Sequence, residues 1–457
     1  MGSPLTAAGL AGPLFALQAK AGLSGDARPP GDKSISHRSL ILNAMAVGHA
    51  CVTGLLEGED VLDMAEALRQ LGARIERCEG KNGVEWHVDG VGIQGFLEPE
   101  NILNMGNSGT AARLLAGAIA GSATFAVMTG DASLRSRPMA RVTEPLTRMG
   151  ARFWTRSKGR LPMAIQGATA PMALDYTSPV ASAQVKSALL LAGLAAPGET
   201  RIVEPTMSRD HTERLLSRMG ASIGSGTTSD GSGWEVCLKG QPELTAIDVD
   251  VPADVSSAAF PMVAALITPG SEIRLNHIGL NPARAGLVTT LQEMGGAIEI
   301  MNLRDVGGEP VGDLCVRASN LKGVFVPPER AASMIDEYPI LAVAAAVAEG
   351  QTTMQGIGEL RVKESDRIAL MAQGLTASGI KVSESADELV VTGTSQIAGG
   401  CTVKTALDHR IAMSFLILGL VSKRPVVVDD ASPITTSFPS FQSLMESLGA
   451  EFRKPNK

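Results

Sequence analysis

The sequence predicts an α/β chain built on mixed sheets, made of six small modules that group into two lobes of three. Three observations predict it. A helix-like pattern closing on Gly and restarting as an apolar strand occurs six times: EALRQLGARI (Gly72), EPLTRMGARF (Gly150), RLLSRMGASI (Gly220), TTLQEMGGAI (Gly295), AQGLTASGIKV (Gly379) and LMESLGAEF (Gly449). These glycines stand between 70 and 84 residues apart, too long for a solenoid rung and long enough for a small folding module. Turn signals such as EGKNGVE and GTTSDGSG interrupt the alternation of helix and strand, so hairpins must accompany any parallel pairing.

Each copy has the same physical basis. Apolar residues at helical spacing line one buried stripe, Gly supplies the left-handed cap, and the following residues resume at period two. The apolar runs at 339–348 and 411–421 are too short to span a bilayer and read as core helices. GVGIQG at 90–95 matches a dinucleotide-binding glycine pattern, but Pro99 opposes the helix such a site requires. Neither a G-x-x-x-x-G-K-[ST] loop nor a G-x-S-x-G elbow is present.

Composition narrows the function classes. The 457 residues are 44% hydrophobic and 19% charged, enough for large cores and too little charge for a disordered polyelectrolyte. A net charge of −7 excludes a general duplex-DNA binder, and 10 Phe, 3 Trp and 2 Tyr exclude a stacking platform for single strands. The five cysteines are scattered and no H-x-x-x-H pair occurs, so neither a disulfide framework nor a metal site is read, and a reducing cytoplasm fits. The first twenty residues lack a basic n-region, so no signal peptide is expected, and MGSPLT matches a myristoylation pattern only by chance. No membrane segment is expected.

The chemistry-bearing residues cluster at helix starts. In PPGDKSISHRSL, Lys33, Ser34 and Arg38 open a helix expected to run through Ile41 and Ala44 to Gly48. GNSGTAAR places Gly109 where a ligand can approach the backbone, with Arg113 a turn later. Arg135, Arg137 and Arg141 follow in SLRSRPMAR. Ser182, Gln184 and Lys186 open an apolar helix, and Arg209 precedes another. Any one of these is explained by an ordinary helix cap or a solvated loop. Five together, in an acidic chain, gather basic and small polar groups where anions bind.

The second half adds carboxylates. Asp336 and Glu337 precede a buried helix, and a carboxylate there is a candidate general base, although a capping Asp is the plainer explanation. In RVKESDR, Lys363 and Arg367 stand four apart, expected on one face with Glu364 alongside: an acid–base group among cations, as a phosphorylated substrate requires. Asp408, His409 and Arg410 head one of the most apolar helices.

Taken in order, GDKSISHRS, GNSGTAAR, RPM, SAQ, IDEYPILAVAAA, RVKESDR and LDHRIAMSF resemble the 5-enolpyruvylshikimate-3-phosphate (EPSP) synthase family over about residues 22–450. The resemblance implies an inside-out α/β barrel of two lobes, each of three βαβαββ units. It places residues 1–31 with 252–457 in one lobe and 32–251 in the other, with the active site in the cleft between them. It also implies transfer of the enolpyruvyl group of phosphoenolpyruvate to the 5-hydroxyl of shikimate 3-phosphate through a tetrahedral intermediate, without metal or organic cofactor, by a cytoplasmic monomer with no nucleic-acid partner.

Family roles fall on individual positions. Lys33 is expected to touch both substrates, with Ser34 and Arg38 on shikimate 3-phosphate. Gly109 and Arg137 match phosphoenolpyruvate contacts, Ser182, Ala183 and Gln184 match the substrate side of the SAQ motif, and Arg209 matches a phosphate grip. Asp336 resembles the base for the 5-hydroxyl and Glu364 the acid that protonates the methylene carbon. Lys363, Arg367 and Arg410 fit further anion contacts.

The chain also departs from the family pattern. It has Arg209 where many members have Tyr and no lysine in DDASPITTSFPSF. RDHTE and SAQVK resemble a glyphosate-tolerant bacterial sub-type, yet Gly109 replaces that sub-type's Ala and NPAR its NPTR. Glyphosate is therefore expected to compete with phosphoenolpyruvate. The sister transferase that uses UDP-N-acetylglucosamine is the alternative, disfavoured because Cys51 and Cys78 lie outside any matching loop. A decayed, non-catalytic paralogue is disfavoured by the intact Lys33, Asp336 and Glu364.

Overall fold

The computed structural model describes residues 10–81 and 83–455. The expectations for the first nine residues, and for Asn82 in the EGKNGVE turn, lie outside the described residues. The chain forms two compact units: one comprises the chain up to Pro30, Pro252–Asp305 and Pro310 onward, the other Gly31–Val251 and Val306–Glu309. Two boundaries differ from the expectation. Gly31 belongs to the second unit, where a side chain on it would collide with the carbonyl of Gly54. Val306–Glu309 also belongs there, because Glu309 lies 2.7 Å from Nδ1 of buried His211 and Arg214 donates to the Gly308 carbonyl at 2.6 Å.

The secondary structure is α/β, with three four-stranded sheets in each unit. Each sheet has one parallel pair at an edge, such as Val249–Asp250 beside His49–Thr53. Antiparallel partners complete it, as where Gly83–Asp89 runs antiparallel to both His49–Thr53 and Arg74–Gly80. GTTSDGSG joins the antiparallel strands Ile223–Thr227 and Trp234–Lys239.

All six repeat glycines adopt positive φ, from +88° at Gly295 to +107° at Gly150. A side chain there would be strained, so Gly ends each of the helices Glu59–Gln70, Ala140–Arg148, His211–Arg218, Gly286–Glu293, Arg367–Ala377 and Phe441–Ser447 and releases the chain into a strand. No helix opens after GVGIQG, consistent with Pro99.

Beneath the sheets each unit buries three helices on all sides: Lys33–Ala44, Gly109–Ala120 and Ala183–Gly193 in the second, Val255–Ile267, Tyr338–Val347 and His409–Gly419 in the first. Most of their positions are apolar or small, as enclosure demands, and the large polar residues they bury, such as Arg38 and Lys186, are hydrogen-bonded or ion-paired. The first of them stops at Ala44 rather than at Gly48, whose φ of +112° cannot continue a helix. Among the described residues no helix is long and apolar enough to cross a membrane.

Candidate functional site

The N-termini of these six buried helices carry most of the singled-out motifs. None has an acidic residue in its first turn, so any carboxylate that offsets the positive end of the helix dipole is at the cap itself. Their caps differ by unit. The second unit uses Asp32, Ser108 and Ser182, whereas the first places Asp254, Glu337 and Asp408 at these positions.

In the second unit Asp32 accepts from the Ile35 N–H at 2.8 Å, and Lys33 forms an ion pair with Asp60. Arg38 is buried. It donates from Nε to Thr212 Oγ1 at 2.6 Å, from Nη1 to the Ser34 carbonyl at 2.9 Å and from Nη2 to Ser187 Oγ at 2.8 Å. Burial lowers its pKa to about 10, which still leaves it cationic at neutral pH. Arg38 thereby anchors the carbonyl of Ser34 at the helix mouth.

Gly109 lies against two guanidinium groups. Arg113 Nη1 donates to the Gly109 carbonyl at 3.1 Å and to Gln184 Oε1 at 2.8 Å, while Gln184 Nε2 donates to Thr110 Oγ1 at 2.9 Å. Arg137 Nη2 donates to Asn107 Oδ1 at 2.9 Å. A Cβ on Gly109 would sit 2.7 Å from Arg113 Nη1 and 3.3 Å from Arg137 Nη1. Two cations thus stand beside a helix N-terminus, packed so closely on residue 109 that only Gly fits without displacing one of them.

Ser182 caps the next helix by accepting from the Val185 N–H at 3.4 Å, and its own N–H donates to Glu204 at 2.8 Å. Ala183 opens that helix. Lys186 is buried between Glu204 at 3.0 Å and Glu213 at 2.8 Å; burial opposes its charge, but the two carboxylates outweigh it and raise its pKa. Arg209 is half-buried, between Ser208, which donates to Glu204 at 2.7 Å, and the capping Asp210.

In the first unit one buried guanidinium organises the carboxylates. Arg367 Nε lies 2.8 Å from Asp408, Nη2 lies 2.5 Å from Glu364, and Nη1 lies 3.5 Å from Asp336. Lys363 Nζ lies 3.9 Å from Asp336 and 3.2 Å from Glu359. The expected common helical face of Lys363 and Arg367 is not how they meet. A 3-10 turn, Gly358–Val362, ends at Lys363, whose ψ is −141°, and the next helix starts only at Arg367. A turn therefore brings both cations to Asp336.

Arg410 Nη1 donates to the Asp336 carbonyl at 3.0 Å and lies 3.5 Å from Glu337. Glu337 accepts from Ser256, and Arg284 donates both to Ser256 at 2.8 Å and to Asp254 at 2.9 Å. Burial, which outweighs Asp408, pushes His409 down to about 3, so it is neutral. Ala406 and Leu407 both adopt positive φ, +51° and +61°, at the turn that delivers Asp408. Strain of that kind persists only where surrounding bonds enforce it.

Sequence reasoning missed Asp60, Thr212, Ser187, Asp254 and Arg284. Asp60 and Thr212 sit in the first turns of their helices and Ser187 inside another, and nothing local marks any of them as a partner of Lys33 or Arg38. Asp254 had a readable signal, since it heads an apolar helix in the same way as Asp408.

A family model described as EPSP synthase (3-phosphoshikimate 1-carboxyvinyltransferase) matches residues 17–445. The 3-phosphoshikimate 1-carboxyvinyltransferase of Granulibacter bethesdensis is 57% identical over 447 residues, covering 97% of this chain and 98% of the relative. That of Parvibaculum lavamentivorans is 58% identical over 434 residues, covering 94% and 95%. Among solved structures, EPSP synthase from Acinetobacter baumannii superposes with a TM-score of 0.85 at 42% identity, covering 97% of this chain and all of that one. The enolpyruvyl transferase NikO from Streptomyces tendae, at 17% identity and a TM-score of 0.74, shares the fold.

Proposed function

This chain belongs to the EPSP synthase family, and on that premise we propose that Lys33, Asp336 and Glu364 carry out its chemistry. The enzyme transfers the enolpyruvyl group of phosphoenolpyruvate to the 5-hydroxyl of shikimate 3-phosphate, giving 5-enolpyruvylshikimate 3-phosphate and phosphate. The reaction serves the shikimate pathway.

The single observation that carries the assignment is the Arg367 guanidinium, which holds Glu364 on one arm and Asp336 on the other while Asp408 fixes its stem. Two carboxylates oriented by one rigid fork can take different proton roles in one turnover. Asp336 accepts the 5-hydroxyl proton as that oxygen bonds C2 of phosphoenolpyruvate. Glu364 delivers a proton to C3, so the double-bond electrons form the new C–H bond and a tetrahedral phosphate-bearing ketal results. In the second step a C3 proton leaves, the double bond re-forms and phosphate departs with the C–O electron pair. General acid–base assistance of this kind contributes on the order of 10²–10⁴ in rate.

Charge placement supports the division. Two substrates bearing phosphate and carboxylate groups repel each other unless cations offset them. Arg137 beside Gly109 suits phosphoenolpyruvate; Ser34, Ser182, Ala183, Gln184 and Arg209 suit shikimate 3-phosphate. Arg38 acts there chiefly through the Ser34 backbone it holds. Lys33, Lys363, Arg367 and Arg410 supply the remaining positive charge. The enzyme works as a monomer in the cytoplasm.

Phosphate release from phosphoenolpyruvate, measured with shikimate 3-phosphate or UDP-N-acetylglucosamine as acceptor, tests this reading. Release is expected only with shikimate 3-phosphate. Release with the UDP-sugar would sustain the sister activity instead.

A further inference from the structure

The outer face of the sheet that contains His49–Thr53, Arg74–Gly80 and Gly83–Asp89 carries polar chemistry with no part in enolpyruvyl transfer. Along these strands Ala50, Val52, Trp86 and Val88 point into the core, so Cys51, Glu85 and His87 face outward, all three half-buried. Cys51 stands directly across from His87 in the antiparallel register. The Cys51 sulfur, a Glu85 oxygen and a His87 ring nitrogen all lie within 4.8 Å of one another.

Neighbouring bonds determine which nitrogen of His87 is available. Asp89 lies 2.7 Å from His49 Nδ1, which places a hydrogen on that nitrogen. His49 Nε2 and His87 Nδ1 lie 3.2 Å apart, so one hydrogen bond joins the two rings. His87 Nε2 is the nitrogen directed toward Glu85, 3.6 Å from its carboxylate. The Asp89–His49–His87 chain is the kind of outer-shell support that orients a ligating imidazole.

We infer that Cys51, Glu85 and His87 form a site for one zinc-class divalent ion, with the fourth position open to water. The donor set decides the class: thiolate, imidazole and carboxylate together select zinc-like metals over magnesium or calcium, which take oxygen ligands. Tetrahedral bonds of about 2.0–2.3 Å need donor atoms roughly 3.3–3.8 Å apart, so small side-chain rotations close the site. Asp248, which accepts from the Cys51 N–H at 2.7 Å, adds further negative charge at the sulfur. Ligands on two neighbouring strands leave no spacing motif, which is why cysteine and histidine spacing alone argues against a metal.

Titration of the chelator-treated full chain with Co²⁺ alone tests the site. One equivalent is expected to bind and to produce a near-ultraviolet thiolate-to-cobalt charge-transfer band, reversed by added Zn²⁺. Cys51→Ser should abolish the band, and His87→Gln should weaken Co²⁺ affinity at least tenfold. Cys78→Ser, altering the cysteine opposite Glu85 on the adjacent strand, should leave both unchanged. Enolpyruvyl transfer retained in all three variants shows that each is folded. Absence of the band in the native chain, its survival in Cys51→Ser or its loss in Cys78→Ser would overturn the proposal.

Discussion

Arg367 and Asp408 form a buried ion pair, Nε to Oδ2 at 2.8 Å, with 1% and 0% of their side chains exposed. The other two nitrogens of the same guanidinium reach Glu364 and Asp336. Asp408 therefore sets the orientation of both proposed proton-transfer carboxylates through Arg367. Asp408→Asn removes the anion from a buried pair, a loss of about 3–5 kcal/mol of stability. Calorimetry should show a lower Tm, and kcat should fall with it. Arg367→Lys keeps a charge but not the fork, so kcat should fall by about 10² because the carboxylates are misplaced. An unchanged kcat in Arg367→Lys would separate the fork from catalysis.

Gly109 is a steric prediction. Its added Cβ would lie 2.7 Å from Arg113 Nη1, so Gly109→Ala must displace that guanidinium from its bonds to the Gly109 carbonyl and Gln184, beside the proposed phosphoenolpyruvate contacts. KM for phosphoenolpyruvate should rise and glyphosate inhibition weaken, with a smaller loss of shikimate 3-phosphate affinity because Arg113 also bonds Gln184. In the native chain glyphosate inhibition should be relieved by phosphoenolpyruvate. Inhibition independent of phosphoenolpyruvate would sever the link between Gly109 and this substrate.

Lys186 is a stability prediction. Lys186→Met leaves Glu204 and Glu213 buried without their shared cation, and about 3–5 kcal/mol is lost. Thermal unfolding measures it. Adding Glu213→Gln should recover part of the loss by removing one of the stranded charges.

His409 gives a pH prediction. Burial, the largest influence on it, pushes His409 down to about 3, while the unfolded side chain takes a proton near 6.5. Below 6.5 the unfolded chain therefore binds a proton that the folded chain refuses, and stability falls as pH falls, by about 1.4 kcal/mol per unit. His37 is likewise held well below its ordinary value by burial, with Lys33 and Arg38 adding to the effect. Asp63 acts in the opposite sense, since burial beside Asp60 and Glu59 pushes it up to about 6 and its folded form takes up the proton first. The difference between native and His409→Asn isolates one group: between pH 6.5 and 5 the variant's stability curve should be flatter by roughly that slope. Identical slopes would contradict a neutral buried His409.

The helix–Gly–strand repeat was legible because the left-handed cap at Gly72, Gly150 and their counterparts is a local backbone requirement that only glycine meets cheaply. The motifs at Lys33, Gly109, Ser182 and Asp408 were legible for a related reason: small polar residues directly before apolar helices read as caps. What escaped depends on contacts between distant segments. Arg38 meets Ser187 and Thr212 across 149 and 174 residues, and no local pattern announces such partners. Lys363 was placed on a helix because i and i+4 spacing implies one, and the 3-10 turn that intervenes has no strong sequence sign.

The division of proton roles between Asp336 and Glu364 is the core of the account. A single-turnover time course with phosphoenolpyruvate and shikimate 3-phosphate, run on Asp336→Asn and on Glu364→Gln, tests it most directly. Both variants should bind shikimate 3-phosphate about as tightly as the native enzyme while product formation slows by 10²-fold or more, in the range expected for loss of a general acid or base. Product formation at the native rate in either variant would contradict the assignment.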